Sequence, residues 1–185
     1  MKRYILPIVG LLSVLVVASC SNKVKPAIEA DKEIEAKIEK ILGRMTLEEK
    51  VGQMSQITIT VFQNEDENGN PQWIPAMLDS VIAKYKVGSI LNVISARAQT
   101  RELTAGMIKE LQEKSMKEIG IPCLYGLDQI HGASYIADAT LFPQEINVAA
   151  TFNREHAFNM GEVTAYESRA ALNPWSFSPT LDLGR

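Results

Sequence analysis

The fold of this protein is decided by the segment IPCLYGLDQIHG, residues 121–132. Its first seven residues form a short apolar run that predicts a buried β-strand, and Asp128 follows directly. Two similar apolar runs and two predicted helices alternate with this run along the chain, near residues 89–94, 100–118, 153–172 and 175–181. Short apolar runs between helices are typical of βα units, whose parallel sheet is buried on both faces. The sequence therefore predicts the α/β class.

Two further helices are predicted upstream of the sheet. Residues 28–42 place their apolar side chains on one side of a helix and Glu and Lys on the other. The apolar residues are Ile28, Ile34, Ile38, Ile41 and Leu42. Thr46 followed by Glu49 has the pattern of a capping box, which predicts that a second helix begins immediately after Thr46. Two apolar residues of this helix are expected to face inward, namely Val51 and Met54.

The remaining segments limit the size of the fold. NEDENGNP, residues 64–71, is acidic and rich in turn residues, so it predicts a solvated surface loop. A helix is expected near residues 74–86. The apolar runs amount to about three strands, and the chain is shorter than the roughly 250 residues typical of an eight-stranded α/β barrel. From the residues alone, the fold is either a small open sheet or an incomplete barrel.

The first twenty residues have the pattern of an export signal. A basic pair precedes an apolar run at residues 5–17, which is shorter than the about 20 residues that span a bilayer. The sequence VASC then resembles a bacterial lipobox, in which Cys20 is lipidated and becomes the new N-terminus; a plain secretory signal is the alternative. We expect a signal peptide at residues 1–20, a tether at 21–27 and a lipid anchor in the cell envelope. The absence of Asp directly after Cys20 favours the outer membrane.

Composition excludes several classes of function. The chain has 185 residues, 46% of them hydrophobic, and a net charge of −3, which is the profile of an ordinary globular protein. No basic stripe indicates a nucleic-acid partner. With two cysteines and two histidines, the chain has almost nothing from which to build a metal site, and Cys123 is predicted to be a core residue. No phosphate loop, GxSxG elbow or CxxC motif is present, and no cofactor is predicted.

The residues that follow the predicted strand are the candidates for chemistry. Asp128 lies at the C-terminal end of that strand, where ligands bind in α/β barrels and open sheets. The alternative is an Asp that caps a turn or the next helix. His131 can hydrogen-bond a ligand hydroxyl or orient Asp128, and the alternative is a histidine that is satisfied by backbone atoms. The residues alone leave both alternatives open.

Three blocks of the sequence, in the same order and spacing, resemble glycoside hydrolase family 3. IPCLYGLDQIHGASYIADATLFPQEINVAATFN, residues 121–153, resembles the IPxxxGxDxxHG and ATxFPQ patterns of the family's β-glucosidases and β-xylosidases. Gln129 and Ile130 fall at variable positions of this block. IEKILGRMTLEEKVGQM, residues 38–54, resembles the family's two N-terminal helices, and FSPTLDLGR, residues 177–185, resembles the run into its GRDPRWGR motif. The family's N-acetylglucosaminidase branch carries a different glycine-rich block.

The resemblance implies that residues 28–185 are the N-terminal portion of a (β/α)8 TIM-like barrel that is incomplete in this chain. It implies that Asp128 binds hydroxyls of the sugar whose bond is broken, and His131 is a second substrate-binding candidate. Family members hydrolyse with retention through an aspartate nucleophile and a glutamate acid/base. Both positions are expected beyond Arg185, so these 185 residues alone are expected to be inactive. The expected substrate is an oligosaccharide or β-glucoside.

Two hypotheses about function follow. In the first, the intact protein is a lipoprotein exo-acting β-glycosidase, and this chain is its N-terminal part. In the second, the 185 residues are a non-catalytic, lipid-anchored sugar-binding or vestigial protein. About three parallel strands leave one edge unpaired and apolar faces uncovered, which favours the first hypothesis.

Overall fold

Residues 29–181 of the protein are described in a computed structural model. The predicted signal peptide, the tether, Cys20 and Arg185 lie outside the described residues. The described residues divide into two compact units, one that ends at Arg44 and one that begins at Met45. Within residues 29–181, no helix has the length and apolar character needed to cross a bilayer.

The described residues form strands and helices in alternation. The strands are β1 (Gln56–Thr58), β2 (Gln63–Glu65), β3 (Pro71–Trp73), β4 (Ser89–Leu91), β5 (Leu124–Leu127) and β6 (Trp175–Ser176). The α-helices are α1 (Lys32–Leu42), α2 (Leu47–Gln53), α3 (Pro75–Leu78), α4 (Arg101–Glu118), α5 (Glu145–Ala149) and α6 (Arg154–Ala170). Helix α3 continues into a π-helical turn, and two 3-10 turns follow β1 and β4; their bounds are Asp79–Lys84, Ile59–Val61 and Ile94–Ala96.

Helix α1 belongs to the first unit. The Asp31 carboxylate accepts the backbone N–H groups of Glu33 at 2.8 Å and Ile34 at 3.2 Å. This N-cap explains why α1 begins at Lys32 rather than at residue 28, as the apolar pattern predicts. The apolar side of α1 is exposed at Ile34, Ile38 and Leu42.

The capping box predicted for α2 is confirmed, and it carries a testable stability effect. Thr46 Oγ1 accepts the N–H of Glu49 at 3.2 Å, and Glu49 Oε2 accepts the N–H of Thr46 at 3.0 Å. We expect Thr46→Ala to lower the free energy of unfolding by about 1 kcal/mol, because the N–H of Glu49 loses its acceptor. Urea denaturation measures this change, and Thr46→Ser is the control that keeps the hydroxyl. Equal stability of all three proteins would contradict the prediction.

The inward direction predicted for α2 is wrong. Val51 and Met54 are both exposed, and Gly52 is the buried residue of the helix. A Cβ at Gly52 would overlap the carbonyl oxygens of Tyr85 and Lys86. Helix α2 therefore approaches this turn through a position without a side chain, which an apolar pattern does not reveal.

The central sheet is parallel throughout, in the order β1-β4-β5-β6. The predicted α/β class is therefore confirmed. Strand β1 is missing from the sequence-based expectation, because its three residues, QIT, are exposed or half-buried and give no apolar run. Within the described residues, β1 pairs with β4 alone and β6 with β5 alone, so the sheet does not close into a barrel.

Strands β2 and β3 form an antiparallel hairpin, whereas the sequence predicts a solvated loop for residues 64–71. The hairpin turn is held by Asp66, whose carboxylate accepts the side-chain amide of Asn70 at 3.0 Å and the backbone N–H groups of Asn68 and Asn70 at 2.8 Å. These bonds, led by the side chain of Asn70, lower the pKa of Asp66. The acidic segment is thus an ordered surface turn.

The core of the second unit holds β5 in place. Tyr125, on β5, is fully buried, and its hydroxyl donates to the carbonyl of Asn92 at 2.6 Å. Cys123 lies in the core, as predicted, and burial raises the pKa of its thiol to about 12. The other large, fully buried apolar side chains are Ile59, Phe62, Ile82, Ile90, Ile108 and Leu111. Strand β5 is therefore a rigid base for the residues that follow it.

Candidate functional site

Asp128 lies at the C-terminal end of β5, the strand between β4 and β6. The last three residues of β5 are buried, whereas the Asp128 side chain is exposed. The N–H of Gln129 donates to the carbonyl of Leu127 at 2.9 Å, which closes a γ-turn centred on Asp128. The same carbonyl accepts the N–H of Phe177 at 3.0 Å. The carboxylate is therefore presented at the edge of the sheet where ligands bind in parallel α/β folds.

His131 is held by the backbone of Phe142. Its Nδ1 lies 3.1 Å from the carbonyl oxygen of Phe142, and the N–H of Phe142 donates to the His131 carbonyl at 2.9 Å. Because a carbonyl oxygen can only accept, Nδ1 carries the proton and Nε2 of the neutral ring is an acceptor. Among residues 29–181, no hydrogen bond joins His131 to Asp128. The ring thus has a backbone partner, and its contact with a ligand stays a prediction.

The loop after His131 is tied to α6 by Glu167. Its carboxylate accepts the N–H of Thr140 at 2.9 Å and the Thr140 hydroxyl at 2.8 Å. Gly132 has a φ of +108°, and a Cβ there would overlap the carbonyl oxygen of Thr140. A glycine at this position lets the loop close on itself, through the bridge between Gly132 and Leu141.

Gln129 is fully buried, although it occupies a variable position of the sequence block. Its amide meets that of Asn173, which is 1% exposed. Tyr125 and Trp175 both present carbonyl oxygens to one end of the Asn173 amide, at 2.8 and 3.2 Å, so we assign that end as Nδ2. With this assignment, Asn173 Oδ1 accepts from Gln129 Nε2 at 3.0 Å. One buried amide pair therefore links β5, β6 and the turn that carries Asp128.

A cavity of about 540 Å³ lies between α5, α6 and the segment after β6. Glu145 lines it and accepts the hydroxyls of Ser178 at 3.3 Å and Thr180 at 2.8 Å. Gln129 contributes to the wall, but Asp128 does not, so the cavity is distinct from the exposed carboxylate. Within residues 29–181, no three His, Cys, Asp or Glu side chains come close enough together to hold a metal ion.

The supporting residues around Asp128 leave little trace in the sequence. Thr140 and Glu167 are 27 positions apart, and Gln129 pairs with an asparagine on the far side of α6. No local pattern links residues at such separations. The GLDQIHG motif does mark Asp128, His131 and Gly132, which the structure brings together in one loop.

Sequence comparisons relate the chain to known glycosidases. The profile described as "Glycosyl hydrolase family 3 N terminal domain" matches residues 46–185. The "Lysosomal beta glucosidase" of Dictyostelium discoideum is 32% identical over 161 residues, which cover 80% of this chain and 19% of that protein. The "Periplasmic beta-glucosidase" of Salmonella typhimurium strain LT2 is 24% identical over 147 residues, which cover 78% of this chain and 16% of that protein.

Solved structures show the same fold. The exo-1,3/1,4-beta-glucanase of a Pseudoalteromonas species superposes with a TM-score of 0.69 at 30% identity, over 83% of this chain and 18% of that chain. A family 3 beta-N-acetylglucosaminidase from a Paenibacillus species superposes with a TM-score of 0.61 over 75% of this chain and 25% of that chain; at 23% identity it supports the fold alone. These neighbours confirm that the open parallel sheet is the N-terminal part of a TIM-like barrel.

The share of the chain that these matches cover shows its family, and the share of each relative that they cover limits what they show about the whole protein. The chain spans about a fifth of the length of the curated relatives it matches. The family profile covers well over half of the chain, and its range includes the whole parallel sheet and the GLDQIHG loop. The chain therefore belongs to glycosyl hydrolase family 3, whose N-terminal domain it matches.

Proposed function

We propose that the protein hydrolyses β-linked glucosides from chain ends, with retention of configuration at the anomeric carbon. Membership of family 3 supports the glycoside hydrolase class. Relatives named β-glucosidase and exo-β-glucanase support the β-glucoside substrate and the exo mode. The observation that carries the proposal is the exposed carboxylate of Asp128 at the C-terminal end of an interior parallel strand.

In this proposal Asp128 binds the sugar whose bond is broken. An ionised carboxylate accepts hydrogen bonds from two neighbouring hydroxyls, and such charge-assisted bonds are stronger than neutral ones. Within residues 29–181, no hydrogen bond engages this carboxylate, which leaves both oxygens available to a ligand. His131 Nε2 is a second acceptor for a hydroxyl, because the Phe142 carbonyl keeps the proton on Nδ1.

The bond cleavage itself requires two other carboxylates. In retaining hydrolysis one attacks the anomeric carbon while the other protonates the leaving oxygen, and the two groups lie about 5–5.5 Å apart. Water then hydrolyses the glycosyl-enzyme intermediate. We assign neither role to a residue of this chain and propose that both come from the rest of the protein. Asp128 contributes by binding and orienting the sugar.

We also propose that the protein is anchored in the cell envelope, at the outer membrane, through a lipid on Cys20. The VASC sequence supports the attachment, and a relative named periplasmic supports an envelope location. Peptide mass spectrometry of the protein isolated from source membranes is expected to find a lipid-modified Cys20 as the N-terminus. An unmodified cysteine, or a chain cleaved elsewhere, would overturn the anchor.

One experiment tests the catalytic proposal. The native protein is isolated, its length is established by intact-mass spectrometry, and hydrolysis of an aryl β-glucoside is followed by proton NMR. We expect a chain that extends past Arg185 and releases the β-anomer of the sugar first. Initial release of the α-anomer would overturn retention. A native terminus at Arg185, with glucose binding and no hydrolysis, would favour the non-catalytic sugar-binding protein instead.

A further inference from the structure

The turn that carries Asp128 is held in place by hydrogen bonds of the next residue, Gln129. The Gln129 side chain is 0% exposed, and its Nε2 donates to Asn173 Oδ1 at 3.0 Å. Its backbone carbonyl accepts the hydroxyl of Ser176 at 3.4 Å, and its N–H donates to Leu127. A side-chain amide and both backbone polar groups of one residue are thus used to fix a single γ-turn.

The Gln129 amide ties the turn to the core through its nitrogen. Among the described residues, no protein group donates to Gln129 Oε1, so the hydrogen bond of this side chain within the protein is the one that Nε2 makes to Asn173. Asn173 Nδ2 in turn donates to the carbonyls of Tyr125 and Trp175, so hydrogen bonds connect the turn to both β5 and β6.

We propose that Gln129 and Asn173 are positioning residues that aim the Asp128 carboxylate at the sugar. This inference rests on the proposed function, in which Asp128 binds the substrate. Asp128 itself is exposed and is the central residue of the turn, so the direction of its side chain depends on the dihedral angles of that turn. Removing the Gln129 amide leaves the Asp128 carboxylate chemically intact. It removes the hydrogen bond that fixes the turn, and therefore the direction of that carboxylate.

The main test is Gln129→Met in the native-length protein, since methionine has a similar volume and no amide. We expect kcat/KM for an aryl β-glucoside to fall by about 10- to 100-fold, because a displacement of about 1 Å in a binding group has effects of this size. The matched control is Gln112→Met. Gln112 bonds the backbone of Cys123 before β5 begins, at the opposite end of the same strand. Gln112→Met is expected to leave kcat/KM within about 2-fold of wild type.

A double-mutant cycle shows whether Gln129 acts through Asp128. With Asp128→Ala already present, which removes the whole carboxylate, adding Gln129→Met is expected to lower kcat/KM by no more than about 2-fold. If the full effect of Gln129→Met persists in that background, or if Gln129→Met alone matches wild type, the positioning role is wrong and the proposed function stands. If Asp128→Ala alone keeps wild-type kcat/KM, the proposed substrate contact fails and the positioning role fails with it.

A second variant guards against misfolding. Thermal unfolding followed by circular dichroism is measured for every protein, and Ser176→Ala replaces Gln129→Met in the cycle if the latter does not fold. Ser176→Ala removes the hydroxyl that bonds the Gln129 carbonyl, with little change in volume. We expect a loss of about 2- to 5-fold in kcat/KM, absent in the Asp128→Ala background. A loss of the same size in both backgrounds would overturn the inference.

Discussion

Asp128→Ala is expected to lower kcat/KM for an aryl β-glucoside by about 100-fold or more in the native-length protein. The variant loses charge-assisted hydrogen bonds to the sugar hydroxyls, which we propose to be strongest in the transition state. Its free energy of unfolding is expected to change by less than about 0.5 kcal/mol, because the side chain is exposed. Steady-state kinetics and urea denaturation of the same preparation separate the two effects.

Two controls sharpen this prediction. Asp128→Asn keeps the shape and one carbonyl acceptor, so its loss of kcat/KM is expected to lie between those of wild type and Asp128→Ala. Asp138→Asn changes an exposed aspartate of the same loop, at a φ of +64° that asparagine tolerates, and should leave kcat/KM unchanged. Near-normal turnover by Asp128→Ala would rule out the substrate contact. A large loss in Asp138→Asn would indicate a general disturbance of the loop.

Gly132→Ala is expected to lower the free energy of unfolding by about 2–5 kcal/mol. Its φ of +108° lies outside the regions that residues with a Cβ adopt readily. The added methyl group would also overlap the Thr140 carbonyl, and Thr140 cannot easily retreat because Glu167 holds its N–H and its hydroxyl. Backbone strain and steric overlap therefore act at the same position.

Other glycines of the chain separate these two causes. Gly120 has a φ of +76° with no atom near the position of a Cβ, so Gly120→Ala introduces backbone strain without steric overlap. It should lower the free energy of unfolding by about 1 kcal/mol. Gly106 lies in α4 with open space around it, and Gly106→Ala should stabilise the protein by up to about 1 kcal/mol. Urea denaturation of the three variants ranks them. If Gly132→Ala costs no more than Gly120→Ala, the loop relieves the overlap by moving.

The sequence predicted the structure best where the deciding hydrogen bonds join residues that are close together in the chain. Asn153 caps α6 by accepting the N–H of Glu155 at 3.0 Å, and Thr100 caps α4 by accepting the N–H of Leu103 at 3.3 Å. Both helices begin where the sequence predicts. A cap joins residues two or three positions apart, so donor and acceptor are visible together in a short window.

The candidate site could be predicted only in part. Asp128 is recognisable because a carboxylate follows an apolar run directly, and the chain must leave the sheet at that point. The partner of His131 is the carbonyl of a residue 11 positions away, and every residue type supplies a carbonyl. Local sequence therefore contained no sign of which imidazole nitrogen would carry the proton.

By itself, the sequence determined the α/β class, the starts of α2, α4 and α6, and the position of the exposed carboxylate, because each depends on neighbours within about one turn or one strand. Tertiary structure alone decided that Gly52 rather than Val51 faces inward, and that Gln129 is buried against Asn173. The physical reason is the same in both cases. Whether a residue is buried depends on which distant part of the chain packs against it. The pairing of distant backbone and amide groups is set by strand register, which no local pattern encodes.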